Sequence, residues 1–366
     1  MNKGIFCILV CMLMLLTTVV PISVTTSWKK TSQPLNMGNI LYVGGSGPGN
    51  YTNIQDAINA SSNGDTVFVY NGIYKGGIVV NRSISLLGEN KLTTIIDDYD
   101  HSPGDVVTIS SDNVQVSGFT IGNNSVAILV LSNSCDISNN LLNYVKNIGV
   151  DIKGNNNKIH DNEVTMMGTG IGCGIGLIGC YNNTIAGNTI HGFLFGIKVQ
   201  SCPANYPNSI QKNRIYNSGQ YGIFINLLVT NLLISGNYIV GCERGIFFSW
   251  DSQCNKINIL FNTIENSTDI GLYFEYPKST GSVHNLICRN TFINNNVDFT
   301  FKLSKTRLHF FLFNNYWEKP HFLPVLLSGS QDLGFGIAFH TYKIDLMPAK
   351  IPLLFNELQI YYGAGK

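Results

Sequence analysis

A six-residue pattern, apolar-x-x-Asn-x-apolar, recurs along most of this chain and constrains its fold more than any other feature. Residues 185–190 show it clearly, and its asparagine returns at successive spacings of 22, 26, 25, 24, 25, 28 and 25 residues. The asparagines are Asn140, Asn162, Asn188, Asn213, Asn237, Asn262, Asn290 and Asn315. A fixed position that recurs at such a period indicates stacked supersecondary units.

A second motif, Gly-apolar-x-apolar, runs in phase with the first. Its copies begin at Gly149, Gly174, Gly196, Gly222, Gly245 and Gly271, and residues 296–299 form a degenerate last copy. Each repeat therefore contains two short alternating segments that end at Gly or Asn, which indicates strands and turns. Such a repeat leaves no room for a long helix.

These repeats predict an all-β fold, a right-handed parallel β-helix over residues 41–318. In that fold each coil lays its strands on those of the coil below, about 4.8 Å away, so equivalent residues form ladders. An inward asparagine at a turn can hydrogen-bond the asparagines above and below it, and it tolerates the left-handed conformation of a sharp corner. A leucine-rich repeat has a similar period, but Ile, Val and Phe outnumber Leu at the apolar positions here.

The composition fits this fold, and the net charge excludes one class of partner. Of the 366 residues 37 are Gly, and only 12% are charged, which disfavours helices and favours turns. The formal net charge of +1 at pH 7 provides no basic field for nucleic acid. We therefore expect no nucleic-acid partner.

Residues 1–27 are typical of a secretory signal peptide or an uncleaved N-terminal anchor. Lys3 precedes a short apolar run over residues 5–20, whereas a membrane-spanning helix usually needs about 20 apolar residues. The pattern predicts an exported protein, secreted or held at the cell surface, that contacts a membrane only through an uncleaved N-terminal segment. Residues 28–40 form a polar linker.

Both ends of a solenoid need a cover, because each exposes an open sheet edge. Apolar residues at positions 54, 57 and 58 have helical spacing and predict a short N-terminal capping helix. After Trp317 the asparagine pattern stops, and Pro320 and Pro324 interrupt the ladder. Residues 319–366 are therefore predicted to form a C-terminal cap, or alternatively a segment that attaches to a wall or a partner.

Two cysteines occupy equivalent positions in neighbouring repeats. Cys180 and Cys202 each follow the glycine of their repeat by six residues, so they would be vertical neighbours that form a disulfide or stack as two buried thiols. The other cysteines and the histidines show no metal-ligand spacing. The sequence predicts no metal and no cofactor, with Ca²⁺ required only if the protein is a lyase.

Several segments outside the repeats resemble a known family. They are YVGG (42–45), NIQDAI (53–58), GDTV (64–67), GIY (72–74), SISLLGEN (83–90) and TIID (94–97), with NYW (315–317) and DLMPAK (345–350) near the end. These segments are similar to the opening and closing parts of exported pectin-lyase-like β-helix proteins, the NosD-like and archaeal surface-protein group. The resemblance implies the architecture more than an activity, because the group mixes carbohydrate-active and carbohydrate-binding members.

The second and fourth residues after each motif glycine are predicted to face solvent. Three successive copies place Phe224, Phe247 and Tyr273 there, and Asn226 follows Phe224 by two residues. Sugar faces stack on such rings, so the sequence predicts an outward aromatic strip that binds saccharide. The same rings could instead only stabilise the sheet or lie beneath the C-terminal segment.

Charged residues beside the strip are the candidates for catalysis. A glycosidase needs two carboxyl groups roughly 5 to 10 Å apart, and Asp251, Glu275 and Asp298 are the candidates by spacing. A lyase of the pectate type would need acids that bind Ca²⁺ and a base, for which Lys198 and Arg244 are the nearest basic residues.

We therefore expect a non-catalytic, exported β-helix whose partner is a polysaccharide or another cell-envelope component. A polysaccharide lyase or glycoside hydrolase acting over the same strip is the alternative. The NosD resemblance implies a third role, as an accessory protein in copper-enzyme maturation, but the sequence lacks His or Cys ligand spacing for it.

Overall fold

The computed structural model describes residues 38–98, 104–166, 168, 171–249, 253–276, 283–304, 308–317, 325–332 and 338–345. The predicted signal or anchor at residues 1–27 lies outside these ranges, as does nearly all of the predicted linker. Within them, strands stack in parallel as successive coils, which confirms the predicted parallel β-helix.

The strands, numbered in chain order, form three walls that repeat once per coil. The first wall starts at the Gly-apolar-x-apolar motif. It contains β4 (Ile78–Val80), β7 (Val107–Ile109), β10 (Val126–Val130), β13 (Ile148–Ile152), β16 (Cys173–Ile178), β19 (Phe195–Gln211), β21 (Tyr221–Ser235), β23 (Arg244–Phe248), β26 (Ile270–Tyr276), β29 (Val297–Ser304) and β32 (Val325–Asp332).

The second wall carries the first half of the asparagine pattern. It contains β1 (Ile40–Val43), β2 (Thr66–Val69), β5 (Ser85–Gly88), β8 (Gln115–Ser117), β11 (Asp136–Ser138), β14 (Lys158–His160), β17 (Thr184–Ala186), β24 (Gln253–Leu260), β27 (Val283–Cys288), β30 (Leu308–Phe313) and the C-terminal halves of β19 and β21. First and second walls belong to one sheet.

The third wall follows the asparagine and forms a separate sheet. It contains β3 (Gly72–Lys75), β6 (Thr94–Asp97), β9 (Thr120–Gly122), β12 (Leu141–Val145), β15 (Glu163–Met166), β18 (Thr189–His191), β20 (Arg214–Tyr216), β22 (Tyr238–Val240), β25 (Thr263–Glu265), β28 (Thr291–Ile293) and β31 (Tyr316–Trp317).

The core lies between the walls and is built from the apolar positions of both motifs. In the second wall Ile159 pairs with Ile185 and Ile185 with Ile210, and all three are 0% exposed. Because equivalent residues stack directly, a β-branched residue at one level packs on its copy in the next coil. The period of the sequence thus becomes a continuous apolar column.

The eight repeat asparagines also lie one above another inside the solenoid. The backbone N–H and side-chain Nδ2 of Asn188 both donate to Asn213 Oδ1, each at 3.0 Å. Asn213 Nδ2 also donates to the Ile185 carbonyl of the preceding coil at 2.9 Å. The same pattern of bonds runs from Asn140 to Asn315. This asparagine column satisfies backbone groups that the turns would otherwise leave unpaired in the core.

A second, shorter asparagine column lies at the turn between the first and second walls. Asn157 donates its backbone N–H to Asn183 Oδ1 at 2.9 Å, and Asn183 donates in the same way to Asn208 at 2.9 Å. All three side chains are buried. The sequence analysis missed this column, although each member stands two residues before the first apolar position of the asparagine pattern.

Each turn from the second wall into the third contains a left-handed residue, one position before the buried asparagine. Lys212 has a φ of 53°, Phe261 of 57° and Arg289 of 55°. The prediction assigned this conformation to the asparagine itself and was wrong, because the asparagine side chain points into the column and its predecessor reverses the chain. Left-handed backbone costs an L-residue about 1–2 kcal/mol, which the column's hydrogen bonds offset.

The glycines of the Gly-apolar-x-apolar motif mark a close approach between neighbouring coils. A Cβ atom at Gly196 would lie 2.5 Å from the Gly222 carbonyl oxygen and 2.5 Å from Ile215 Cγ2. Any side chain there would push the coils apart. The isoleucine of the third wall fills this space instead, so the glycine sets how tightly the first wall stacks.

A short helix, α1 (Ile54–Ala60), lies at the N-terminal end, as the sequence predicts. Its apolar residues Ile54, Ala57 and Ile58 are buried, and it contacts β1, β2 and β4. Across the described ranges, no helix is long and apolar enough to cross a membrane.

At the C-terminal end the first wall continues beyond residue 318, where the sequence analysis ends the β-helix. β32 pairs in parallel with β29, and β33 (Ala338–Asp345) pairs with β32 in the antiparallel direction. A strand that runs the opposite way interrupts the coil-on-coil register. The described part of the predicted C-terminal cap is therefore one more strand of the first wall and its antiparallel partner.

Candidate functional site

The outer surface of the first wall presents the residues that the motif predicts to face outward. Ile223 and Ile225 of β21 are 0% exposed, whereas Phe224 between them is partly exposed. Phe224, Phe247 and Tyr273 pair in register on three successive coils. The sequence therefore brings three aromatic side chains onto one strip of the wall.

Two further rings, Phe195 and Tyr221, join these three and were missed by the sequence analysis. The Tyr221 ring centroid lies 4.8 Å from that of Phe224, 4.7 Å from that of Phe247 and 5.6 Å from that of Phe195. The Phe247 and Tyr273 centroids are 5.2 Å apart. We call these five residues the ring cluster. The missed signal is an aromatic residue directly before the motif glycine in two consecutive copies.

Phe247 is not exposed as predicted, because it is only 5% accessible to solvent. The Arg244 guanidinium lies 5.1 Å from the centre of the Phe247 ring and 5.6 Å from that of Tyr221, in the geometry of a cation–π contact. Tyr221, Phe224 and Tyr273 surround the remaining sides. Phe247 is thus the buried centre of the ring cluster, while its neighbours keep partly exposed surfaces.

Arg244 is fixed above the rings by three polar contacts. Its Nε donates to Asp269 Oδ2 at 2.6 Å, an Nη donates to the Tyr221 hydroxyl at 3.1 Å, and Glu243 lies 3.5 Å away. Burial alone would lower the pKa of Arg244, but the hydrogen bond to Asp269 and the nearby charges raise it. These contacts favour the protonated form of Arg244.

The other polar residues of the strip line the edges of the ring cluster. Lys198 Nζ lies 5.7 Å from the Phe195 ring centre. Asn226 Oδ1 accepts hydrogen bonds from Ser249 Oγ and the backbone N–H of Leu227, both at 2.7 Å. These contacts hold the Asn226 amide in one orientation at the edge of the strip.

Tyr273 and Glu275 stand at the C-terminal edge of the ring cluster. Burial, followed by the charge of Glu275, raises the pKa of Tyr273 to about 12. The Tyr273 hydroxyl is therefore neutral at physiological pH and can donate a hydrogen bond. Glu275 pairs in register with Lys302 of the next coil.

The remaining two predicted acids do not join the strip in the described structure. The last repeat copy is shifted by two residues, so Tyr273 pairs with Thr300 rather than with Asp298. Asp298 instead replaces the motif glycine beside Gly271, and its Oδ1 accepts a hydrogen bond from Asn295 Nδ2 at 3.0 Å. Asp251 lies outside the described residues.

A buried carboxylate lies on the N-terminal side of the strip. Asp151 is 6% exposed, and its Oδ1 has no hydrogen-bond partner, while Oδ2 lies 3.4 Å from Lys153 Nζ. A Cβ atom added at Gly176, on the next coil, would lie 3.6 Å from Asp151 Oδ1. The first wall therefore has space for a hydroxyl group at this point.

Cys180 and Cys202 are both free and buried, so the disulfide, one of the two predicted alternatives, is not formed. Cys202 Sγ points to the Gln200 carbonyl oxygen at 3.3 Å. The hydrogen bond between the two thiols raises the pKa of Cys180, and burial adds to this effect. Both thiols pack in the core of the solenoid.

A histidine on the second wall is held between two carboxylates. His160 Nδ1 lies 2.8 Å from Asp161 and Nε2 lies 3.1 Å from Asp136. Burial lowers the pKa of His160, but the hydrogen bonds and charges of Asp161 and Asp136 outweigh it, so the pKa is raised. Among the residues that the structure describes, no group of three or more His, Cys, Asp or Glu side chains could hold a metal ion.

Comparisons with known proteins agree with this architecture. A sequence profile described as "Right handed beta helix region" matches residues 104–258 and 173–322. No curated protein sequence matches the chain.

Solved structures resemble the chain in fold at low identity. ORF18 of Geobacillus virus E2 is 15% identical over 75% of this chain and 62% of its own, with a TM-score of 0.46. The catalytic unit of an α-1,3-glucanase from Streptomyces thermodiastaticus is 12% identical over 81% of this chain and 64% of its own, with a TM-score of 0.50. The chain thus spans less than two thirds of both.

PfbA, a surface adhesin of Streptococcus pneumoniae, is 13% identical over 81% of this chain and 95% of its own, with a TM-score of 0.43. Identities this low show a shared fold and nothing about a shared ligand.

Proposed function

The chain belongs to the family of right-handed β-helix regions, and on that premise we propose that it binds saccharide on the outer surface of the first wall without catalysing a reaction. The ring cluster is the observation that carries this proposal. Three of its partly exposed members, Phe195, Tyr221 and Phe224, lie with ring centroids 4.8 to 5.6 Å apart, and Tyr273 is joined to them through the buried Phe247.

The chemistry of this surface suits a sugar. The carbon–hydrogen face of a pyranose is apolar and packs on an aromatic ring, while its hydroxyls need donors and acceptors at the edges. Lys198, Asn226 and Glu275 supply such groups around the rings. The Asn226 amide and the Arg244 guanidinium are already held by neighbours, which lowers the ordering cost of binding.

The ion pairs that hold Arg244 over the rings favour binding over catalysis. Asp269 and Glu243 both face Arg244, so neither is a free carboxyl group facing a partner acid across a scissile bond. The α-1,3-glucanase shows that a hydrolase can use a related fold. A lyase or hydrolase acting over the same strip therefore stays the alternative, with Lys198 and Glu275 as its candidate groups.

The test is affinity electrophoresis of the purified chain in native gels that contain β-glucan, galactomannan or polygalacturonate. We expect at least one polymer to retard the wild type, and Phe224→Ala to weaken this retardation roughly tenfold, since it removes one stacking ring. Equal retardation of both proteins, or no retardation of either by any polymer, would refute the proposal.

A matched control is Tyr216→Ala. Tyr216 is also partly buried and its ring packs on Tyr238, with centroids 6.0 Å apart, but it lies on the third wall. We expect it to lose stability comparably and to bind as wild type. New reducing or unsaturated ends in the incubated polymers would favour the enzymatic alternative.

Two finer parts of the proposal depend on the sequence alone. Export to the medium or the cell surface is inferred from the apolar run at residues 5–20, and the NosD-like assignment from the segments named above. Fractionation of expressing cells tests the first. Copper binding by the purified chain would favour the accessory role, for which the described residues offer no ligand cluster.

A further inference from the structure

Two exposed tyrosines form a ring pair outside the first-wall strip. Tyr181 is 39% exposed and Tyr206 is 64% exposed. Their ring centroids are 6.1 Å apart, and the ring planes are inclined by 31°. Two exposed rings this close together form one small aromatic patch on the surface.

An insertion in β19 places Tyr206 beside Tyr181. In the pairing of β19 with β21, Pro203 faces Thr230 and Asn208 faces Leu232. Four residues of β19 therefore stand opposite one residue of β21, and Tyr206 is one of them. Proline at positions 203 and 207 fixes the backbone φ at both edges of this bulge.

Tyr181 is positioned by hydrogen bonds to the preceding coil. Its backbone N–H donates to Asn155 Oδ1 at 2.9 Å. The next residue, Asn182, is left-handed with a φ of 56°, and its Nδ2 donates to Asn156 Oδ1 at 2.7 Å. The turn between the first and second walls therefore presents the Tyr181 ring on a rigid corner, beside a row of amides.

We propose that Tyr181 and Tyr206 form a second saccharide-binding platform, which takes a neutral glycan running from one coil to the next. The two rings offer stacking surfaces to successive sugar units. Neither hydroxyl has a hydrogen-bond partner among the described residues, and both are available to sugar hydroxyls, together with the amide atoms that the turn does not use, Asn155 Nδ2, Asn156 Nδ2 and Asn182 Oδ1.

Size and charge disfavour the other classes of partner. A stable protein interface buries about 800 Å² on each side, which is far more than two side chains provide. Nucleic acid would need cations for its phosphates, yet no Lys or Arg within the described ranges lies over either ring. An uncharged, hydroxyl-rich polymer matches the groups present.

This platform does not depend on the ring cluster, so the two can be tested separately. The full chain is run in native gels that contain β-glucan, galactomannan, dextran or polygalacturonate, as wild type and as Tyr181→Ala, Tyr206→Ala and Phe224→Ala. Both tyrosines are exposed, so we expect unchanged thermal unfolding. For a neutral polymer that retards the wild type, each tyrosine variant should bind roughly tenfold more weakly.

Tyr144→Asn is the control, because Tyr144 is 53% exposed and left-handed, a conformation that asparagine tolerates. It should bind as wild type. The platform is refuted if both tyrosine variants bind every neutral polymer as wild type, if only polygalacturonate depends on them, or if no polymer retards the wild type. Loss with Phe224→Ala alone supports the first-wall site and refutes the platform, and loss with the tyrosine variants alone does the reverse.

Discussion

Replacing one asparagine in the middle of the asparagine column tests whether the column holds the coils together. Asn213 Oδ1 accepts two hydrogen bonds from Asn188, from the backbone N–H and from Nδ2, and Asn213 Nδ2 donates to the Ile185 carbonyl and to Asn237 Oδ1. Asn213→Ala removes all four. It leaves the Asn188 backbone N–H without an acceptor at a site where both asparagines are 0% exposed.

The expected cost follows from these bonds. An orphaned buried N–H costs about 1–3 kcal/mol, and each further lost hydrogen bond contributes about 1 kcal/mol net. The four lost bonds together would cost about 4–6 kcal/mol, and water admitted to the cavity left by the amide satisfies part of the exposed groups, so we expect the free energy of unfolding to fall by about 2–4 kcal/mol. Urea unfolding followed by circular dichroism measures this change through the midpoint and slope of the transition.

Two further variants serve as controls for Asn213→Ala. Asn296 is exposed and not left-handed, so Asn296→Ala should change stability by no more than about 0.5 kcal/mol. In Asn213→Asp the new carboxyl can still accept hydrogen bonds from Asn188, but it can donate a hydrogen bond only when it is protonated. Because the carboxyl is buried, its pKa is raised. The stability of this variant should therefore be highest at low pH and fall as the pH rises through that pKa. An Asn213→Ala midpoint equal to that of Asn296→Ala would refute the reasoning.

Two further predictions concern charged groups on the walls. Because the pKa of His160 is raised in the folded protein, its contribution to stability is complete below about pH 6.5 and is lost as the pH rises through the raised pKa. The unfolding midpoint of the wild type should therefore exceed that of His160→Gln at low pH, and the difference should shrink as the pH rises. A difference that does not change with pH would contradict this prediction. Gly176→Ser places a hydroxyl near the unpartnered Asp151 Oδ1 and should raise the free energy of unfolding by about 1 kcal/mol. An unfolding midpoint no higher than that of Gly176→Ala would count against this prediction.

The fold could be predicted because each repeat carries the same residue type at the same position. Each column asparagine needs the same partner above and below, so the period is visible without any contact information. The wall alternation also follows from the chain, since Ile223 and Ile225 are inward and Phe224 is outward as the motif requires.

The candidate site was less predictable, because its decisive contacts cross between coils. Arg244 covers Phe247 from the position before the glycine, and nothing in the local pattern indicates that a cation there folds back over a ring. The last copy departs from the predicted register for a related reason. Asp298 stands where other coils have glycine, so alignment on Asn296 displaced the predicted acid by two residues.

The direction of the asparagine column has a consequence for how such a chain can change length. In each rung from Asn140 to Asn290 the backbone N–H donates to the asparagine of the next coil, and Nδ2 also donates to a carbonyl of the previous coil, so all these rungs make the same bonds. Duplicating or deleting one whole coil restores each bond with a new neighbour, and differences of a few residues between coils, which space the asparagines 22 to 28 residues apart, leave the column unbroken. Growth by complete coils therefore preserves the bonding of the column, and a small insertion preserves it where it bulges out of a wall, as at Tyr206.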